Sequence, residues 1–187
     1  MKYSFYVANN QSAESCLNRI TFDSESKNGE VQLCDKLPQG VQFIAHNSVD
    51  KKVYAVIGSE KEDECILITY DYYQTKIHQI YQRRIKVHSA SYIYIDPTMR
   101  KAYLSDYLGS QFALIELDFK GIPKKGIQYF KLEGSGPVLE RQEKSHPHSI
   151  LIYKNNILFV PDLGSDCIWQ ILLEKDDSIG RTIENHV

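Results

Sequence analysis

A repeat of about fifty residues constrains this chain more than any other feature of it. Sliding the sequence by 49 residues pairs Phe43-Ile44 with Tyr92-Ile93, Lys52 with Lys101 and Tyr54 with Tyr103. The same shift lays Ile66 on Ile115, Ile68 on Leu117 and Tyr70 on Phe119. A further shift of 55 lays Leu108-Gly109-Ser110 on Leu163-Gly164-Ser165. Each repeat follows one grammar. A short apolar or alternating run (Gln42–Ala45, Ser91–Ile95, Ser149–Ile152) precedes a polar turn (Asn47–Lys52, Asp96–Lys101, Lys154–Asn156). A second run follows (Val53–Ile57, Ala102–Ser105, Ile157–Val160), then a third (Cys65–Tyr70, Phe112–Phe119, Cys167–Leu173). The fourth is more polar: Ile77–Val87, Gly126–Leu132 and Thr182–Val187.

Tyr92-Ile93-Tyr94-Ile95 alternates with period two, and no helix-length window keeps a 3.6-residue apolar stripe. Four strands in about fifty residues describe a propeller blade. The expected fold is all-β, with four blades of antiparallel strands spanning about 1–40, 41–89, 90–145 and 146–187. The first repeat opens directly on a second-strand-like run, Tyr3–Ala8, followed by Leu17–Phe22 and Val31–Leu37. A blade that lacks its innermost strand at the N-terminus is what ring closure predicts, because the C-terminal end of the chain supplies that strand. A β-sandwich is the alternative that short strands with regular turns also suit.

Thirteen Tyr and seven Phe strengthen the sheet reading, since aromatic side chains favour half-buried pleated surfaces. The formal net charge is −2, and the densest basic cluster, Arg83-Arg84 with Lys86 and His88, reads as a solvated strand edge. A nucleic-acid partner is therefore not expected. Cys16, Cys34, Cys65 and Cys167 show neither C-x-x-C nor metal-ligand spacing and read as reduced, mostly buried thiols. The N-terminal apolar run turns polar at Asn9-Asn10-Gln11, too soon for a signal peptide, and no stretch has the length of a membrane span. The expected compartment is the cytoplasm.

From Gly134 the sequence reads Gly-Ser-Gly-Pro-Val-Leu-Glu-Arg-Gln-Glu-Lys-Ser-His-Pro-His-Ser-Ile. After a short turn it continues Asn156-Ile-Leu-Phe-Val-Pro-Asp-Leu-Gly-Ser-Asp-Cys-Ile-Trp-Gln170. Gly134, Gly136 and Pro137 form a tight loop. Arg141 offers a fork of donors suited to a carboxylate or phosphate, or to a salt bridge with Glu140 or Glu143. His146 and His148 lie two apart, so in an extended segment they point the same way. Asp162 and Asp166 suit capping of a turn, and Trp169 suits packing between blades. No third ligand accompanies the two histidines at metal spacing, so no metal is expected.

This segment of about 37 residues resembles the seven-bladed lactonase propellers: a G-S-G-P…E-R-Q loop, H-x-H-S entering a blade, then V-P-D-L-G-x-D at the next turn. By that resemblance His148 matches the histidine of the central-channel site. Arg141 and His146 become candidate substrate-binding residues. Activities on this scaffold include 6-phosphogluconolactone hydrolysis and carboxymuconate lactonisation, and neither calls for a cofactor. The implied partner is a small lactone or sugar phosphate. The implied site completes itself with arginine and glutamate residues of later blades.

Seven such blades need roughly 350 residues, so 187 read as an open, incomplete propeller. Two functional classes follow: a lactonase-type hydrolase, or a lactonising isomerase close to it, and a non-catalytic fragment or binding module. Open blade faces are expected to promote self-association.

Overall fold

The computed structural model describes residues 1–9, 15–73, 76–154 and 156–186. Among these residues all regular structure is β-strand, arranged in four sheets. The first has three strands, β1 (Lys2–Ala8), β2 (Cys16–Asp23) and β3 (Asn28–Lys36), in the order β1-β2-β3. The second has four, β4 (Val41–Asn47), β5 (Lys52–Gly58), β6 (Cys65–Tyr73) and β7 (Lys76–Ile85). The third is built from β8 (Ala90–Asp96), β9 (Lys101–Asp106), β10 (Gln111–Leu117) and β11 (Pro123–Lys131). The fourth comprises β12 (Leu151–Tyr153), β13 (Ile157–Asp162), β14 (Cys167–Leu173) and β15 (Ile179–His186). Strand order follows chain order in every sheet and every neighbouring pair is antiparallel, which is the meander of a propeller blade. Of the residues in the expected runs, Val187 and Asn155 lie outside the described residues, as do Asn10 and Gln11.

Two compact units divide the chain, Met1–Ile85 with the first two sheets and Lys86–Val187 with the other two. In the first unit Leu17, Val41, Ala55, Ile57, Ile68 and Tyr70 belong to one core cluster. In the second, Tyr103, Phe112, Ile150, Val160, Trp169 and Ile171 do the same. The middle strands of the second and third sheets are buried at consecutive residues, as Val53–Ile57 and Phe112–Ile115 show. This explains why those runs are continuously apolar in sequence instead of alternating: both faces are covered.

Side-chain caps set the turns. Asn47 Oδ1 accepts from the N–H groups of Val49 and Asp50, and Asp96 Oδ1 accepts from those of Thr98 and Met99. Lys51 and Arg100, 49 residues apart, both take left-handed backbone, as this turn requires of one residue. The next turn repeats with a different spacing. Asp106 and Asp162 cap it, and the left-handed residues are Ser110 and Asp166, 56 residues apart. The two Leu-Gly-Ser tripeptides are therefore one position out of structural step. The shared letters reflect turn chemistry, which tolerates a slip, whereas the capping aspartates fix the register.

Candidate functional site

In the second unit a connection of nineteen residues, 132–150, carries the chain from β11 to β12. Gln142 holds it down. Its backbone and side-chain carbonyl oxygens accept from the N–H groups of Gly136 and Val138, and its amide donates to the Leu163 carbonyl at 2.9 Å. A Cβ on Gly164 would lie 1.7 Å from the Lys144 carbonyl oxygen, so only glycine lets the connection approach the β13–β14 turn this closely.

Asp162 joins the connection to the sheet. It is 3 % exposed, and its carboxylate accepts from Ser145 Oγ at 2.5 Å, the His146 N–H at 2.6 Å and Trp169 Nε1 at 2.8 Å. The N–H groups of Gly164 and Ser165 and the Ser165 hydroxyl complete its shell. Burial by itself raises the carboxyl's pKa; the hydrogen bonds from Ser145, Trp169 and the backbone overcome it and hold Asp162 below the ordinary carboxylate range. The expected capping role thus belongs to Asp162. Asp166 instead occupies the left-handed position of the turn and accepts from the Gln142 amide at 3.3 Å. Trp169 packs in the cluster shared by the third and fourth sheets.

Pro147 bridges Asp162, and the His148 N–H donates to the Pro161 carbonyl at 2.9 Å, so His148 leads into the first strand of the fourth sheet in extended form. Its counterpart in the third sheet is Ser91, one residue past Ala90, which pairs with Asp106. A one-residue register shift follows at both places: between Ala90 and Tyr92, and between the Pro147↔Asp162 and Leu151↔Phe159 pairs. A bulge at this point re-aims the side chain of the residue that enters the strand.

The two histidines meet one aromatic ring. His146 is buried and stacks on Tyr107 with centroids 4.4 Å apart and planes at 17°. Its Nδ1 lies 2.8 Å from the Tyr107 carbonyl oxygen and its Nε2 lies 3.1 Å from Glu143 Oε1. A hydrogen bond at its own backbone and the bond to His146 keep the Glu143 carboxyl below its ordinary range. His148 meets the same ring edge-to-face, with centroids 5.7 Å apart at 83°. It is exposed, and among the described residues its ring nitrogens have no hydrogen-bond partner. Arg141 is also exposed. Its backbone N–H closes the turn on the Val138 carbonyl, and among the described residues its guanidinium pairs with neither Glu140 nor Glu143.

The structure therefore separates the three expected site residues. Among the described residues the His148 imidazole and the Arg141 guanidinium have no hydrogen-bond or ion-pair partner, whereas both ring nitrogens of His146 do. Gln142 and Tyr107 escaped the sequence reading, and Glu143, named there as a partner for Arg141, meets His146 instead. Gln142 was visible only as the last letter of the loop motif. Tyr107 follows the Asp106 that repeats as Asp162, a repeat masked by the Leu-Gly-Ser match. Among the described residues no group of three or more His, Cys, Asp or Glu side chains is arranged to hold a metal ion.

Comparison with known proteins supplies the context. The family model described as lactonase, 7-bladed beta-propeller, matches residues 4–184. A curated 6-phosphogluconolactonase of Formosa agariphila is 28 % identical over 168 residues, covering 87 % of this chain and 48 % of the relative. A solved protein from Lactobacillus plantarum superposes with a TM-score of 0.82 at 16 % identity, covering 98 % of this chain and 53 % of its own. A periplasmic gluconolactonase of Pseudomonas aeruginosa gives 0.81 at 16 % identity, with 99 % and 56 % covered. At these identities the solved structures show the fold. The chain spans about half the length of the relatives it matches.

Proposed function

The chain belongs to the lactonase family of seven-bladed β-propellers, and on that premise we propose that it serves the hydrolysis of a small lactone, with His148 as general base and Arg141 as the anion-holding residue. The observation that carries this reading is the exposed imidazole of His148, without a hydrogen-bond partner among the described residues, at the entry of the first strand of the fourth sheet. A neutral imidazole nitrogen takes a proton from water as the water oxygen attacks the lactone carbonyl. The tetrahedral oxyanion collapses, the ring C–O bond breaks, and the proton returns to the leaving alkoxide, giving the open hydroxy acid. The guanidinium of Arg141 suits a substrate carboxylate or phosphate. A sugar-phosphate lactone, and a place in carbohydrate metabolism, fit that pairing. Cytoplasmic residence fits four cysteines that form no disulfide among the described residues; no helix of the described residues is long and apolar enough to cross a membrane.

The test is lactone consumption followed at constant pH. Turnover of 6-phosphogluconolactone above buffer should fall at least about tenfold in His148→Ala, within the range of general-base contributions. Arg141→Ala should act chiefly on KM if it holds the substrate's charge. Turnover that survives His148→Ala would remove that residue from the reaction. A second reading is a non-catalytic binding module. Calorimetric binding of the ring-opened acid without turnover would support it. A lactonising isomerase would be revealed by ring closure of an unsaturated diacid.

A further inference from the structure

We propose that Tyr107 is the positioning residue for His148: its ring, stacked on one side by His146, fixes the orientation of an imidazole that no hydrogen bond among the described residues holds. The inference rests on the site reading above for its meaning and on geometry for its argument. The backbone around His148 is secured twice. Ser91 Oγ donates to the Pro147 carbonyl at 2.9 Å, and the His148 N–H donates to Pro161. The imidazole itself is exposed and makes no hydrogen bond among the described residues. Two side-chain torsions therefore remain to be set, and the His148 ring meets Tyr107 edge-to-face. Such aromatic pairs are directional, favouring edge-to-face or offset geometry.

Tyr107 can orient its neighbour because it is itself fixed. The Tyr107 N–H donates to the Ser89 carbonyl at 2.8 Å, and its own carbonyl accepts from His146 Nδ1. His146 covers the ring at 4.4 Å. His146 is held in turn: its Nδ1 lies 2.8 Å from the Tyr107 carbonyl oxygen and its Nε2 lies 3.1 Å from Glu143 Oε1. Its backbone N–H donates to Asp162. The chain of support runs Glu143, His146, Tyr107, His148. It requires the Tyr107 ring but makes no use of its hydroxyl. That distinguishes positioning from proton transfer.

The experiment compares Tyr107→Phe, Tyr107→Leu and His146→Gln by histidine-selective NMR on the folded chain, with no substrate present. In the parent protein the carbon-bound protons of the His148 ring should show a ring-current displacement. Tyr107→Phe should keep it, Tyr107→Leu should abolish it, and His146→Gln should reduce it by at least half. Amide dispersion reports that each variant folds, and His146→Gln carries the test if Tyr107→Leu does not. His148 resonances that stay put in the folded Tyr107→Leu or His146→Gln variant overturn the proposal. In the lactone assay Tyr107→Leu should lower kcat by about tenfold with KM little changed, as misplacement of a reacting group does, and Tyr107→Phe should retain kcat. A parent protein without turnover would sink the hydrolase reading, while the NMR arm would still decide the positioning role.

Discussion

Six hydrogen bonds converge on the Asp162 carboxylate, from Ser145, His146, Gly164, Trp169 and twice from Ser165. Removing the acceptor leaves buried donors from three segments unmet, and each unmet buried group costs on the order of 1–3 kcal/mol. Asp162→Ala should therefore lose about 3 kcal/mol or more, read as a fall in the urea midpoint. The depressed pKa fixes the pH dependence. Stability from this group is fully present above its ordinary value of 3.8 and is lost as pH falls through the lower native value. Acidification below about pH 4 should thus lower the midpoint of the parent protein more than that of Asp162→Ala. Gly164→Ala offers a steric check at the same turn. Its Cβ would meet the Lys144 carbonyl oxygen at 1.7 Å, so backbone must move, and a loss of about 2 kcal/mol or more is expected.

Elements were more legible in the sequence than residues. The strand runs could be read because covered strands such as Val53–Ile57 are unbroken apolar segments, and because Asn47 and Asp96 mark equivalent turns. The three-stranded first sheet follows from a repeat that opens on a second-strand-like run. What could not be read is what distance in sequence conceals. Tyr107 meets His146 across 39 residues, and no local pattern announces which aromatic in a Tyr-rich chain will stack on which histidine. The partnership of two neighbouring histidines split for the same reason: their two-residue spacing is equal, but Glu143 and Tyr107 enclose only one of them. Tyr70 shows the same limit in the first unit. Its hydroxyl donates to Asp35 Oδ2 at 2.8 Å, tying β6 to β3. Burial, then the bond to Asp35, push its pKa upward, so the phenol stays neutral and donating through the alkaline range. Tyr70→Phe should cost about 1.5 kcal/mol, the scale of a hydrogen bond to a charged group, measured by thermal unfolding at neutral pH.

At the scale of the whole molecule, surface apolarity gathers on two sheets. In the first sheet, pairing of Tyr3 with Phe22 and of Phe5 with Ile20 and Val31 places these side chains on one face. Tyr3, Phe5, Val7, Val31 and Leu33 are each between 40 % and 69 % exposed there. The opposite face carries Leu17 and Tyr6 into the core of the first unit. In the fourth sheet, β14 alternates: Trp169, Ile171 and Leu173 are buried, while Ile168 is exposed and Leu172 half-buried. Leu151, paired with Phe159, extends that outer face. Strand β1 also runs along the edge of its sheet with its outer backbone groups unpaired within the sheet, and such an edge is a template for another strand. Contiguous apolar patches beyond a few hundred Å² are uncommon on monomers, and burying them yields about 25 cal/mol per Å². The 187-residue chain should therefore self-associate. Its mass by light scattering should rise with concentration, and dye binding to exposed apolar surface should fall as it does. Phe5→Lys combined with Val31→Lys changes two exposed positions in one cross-strand row, so it should preserve the fold, lower the weight-average mass and weaken dye binding. A parent chain that scatters as a monomer over a hundredfold range of concentration would rule this out, because the apolar face of the first sheet would then be stable in water without a cover.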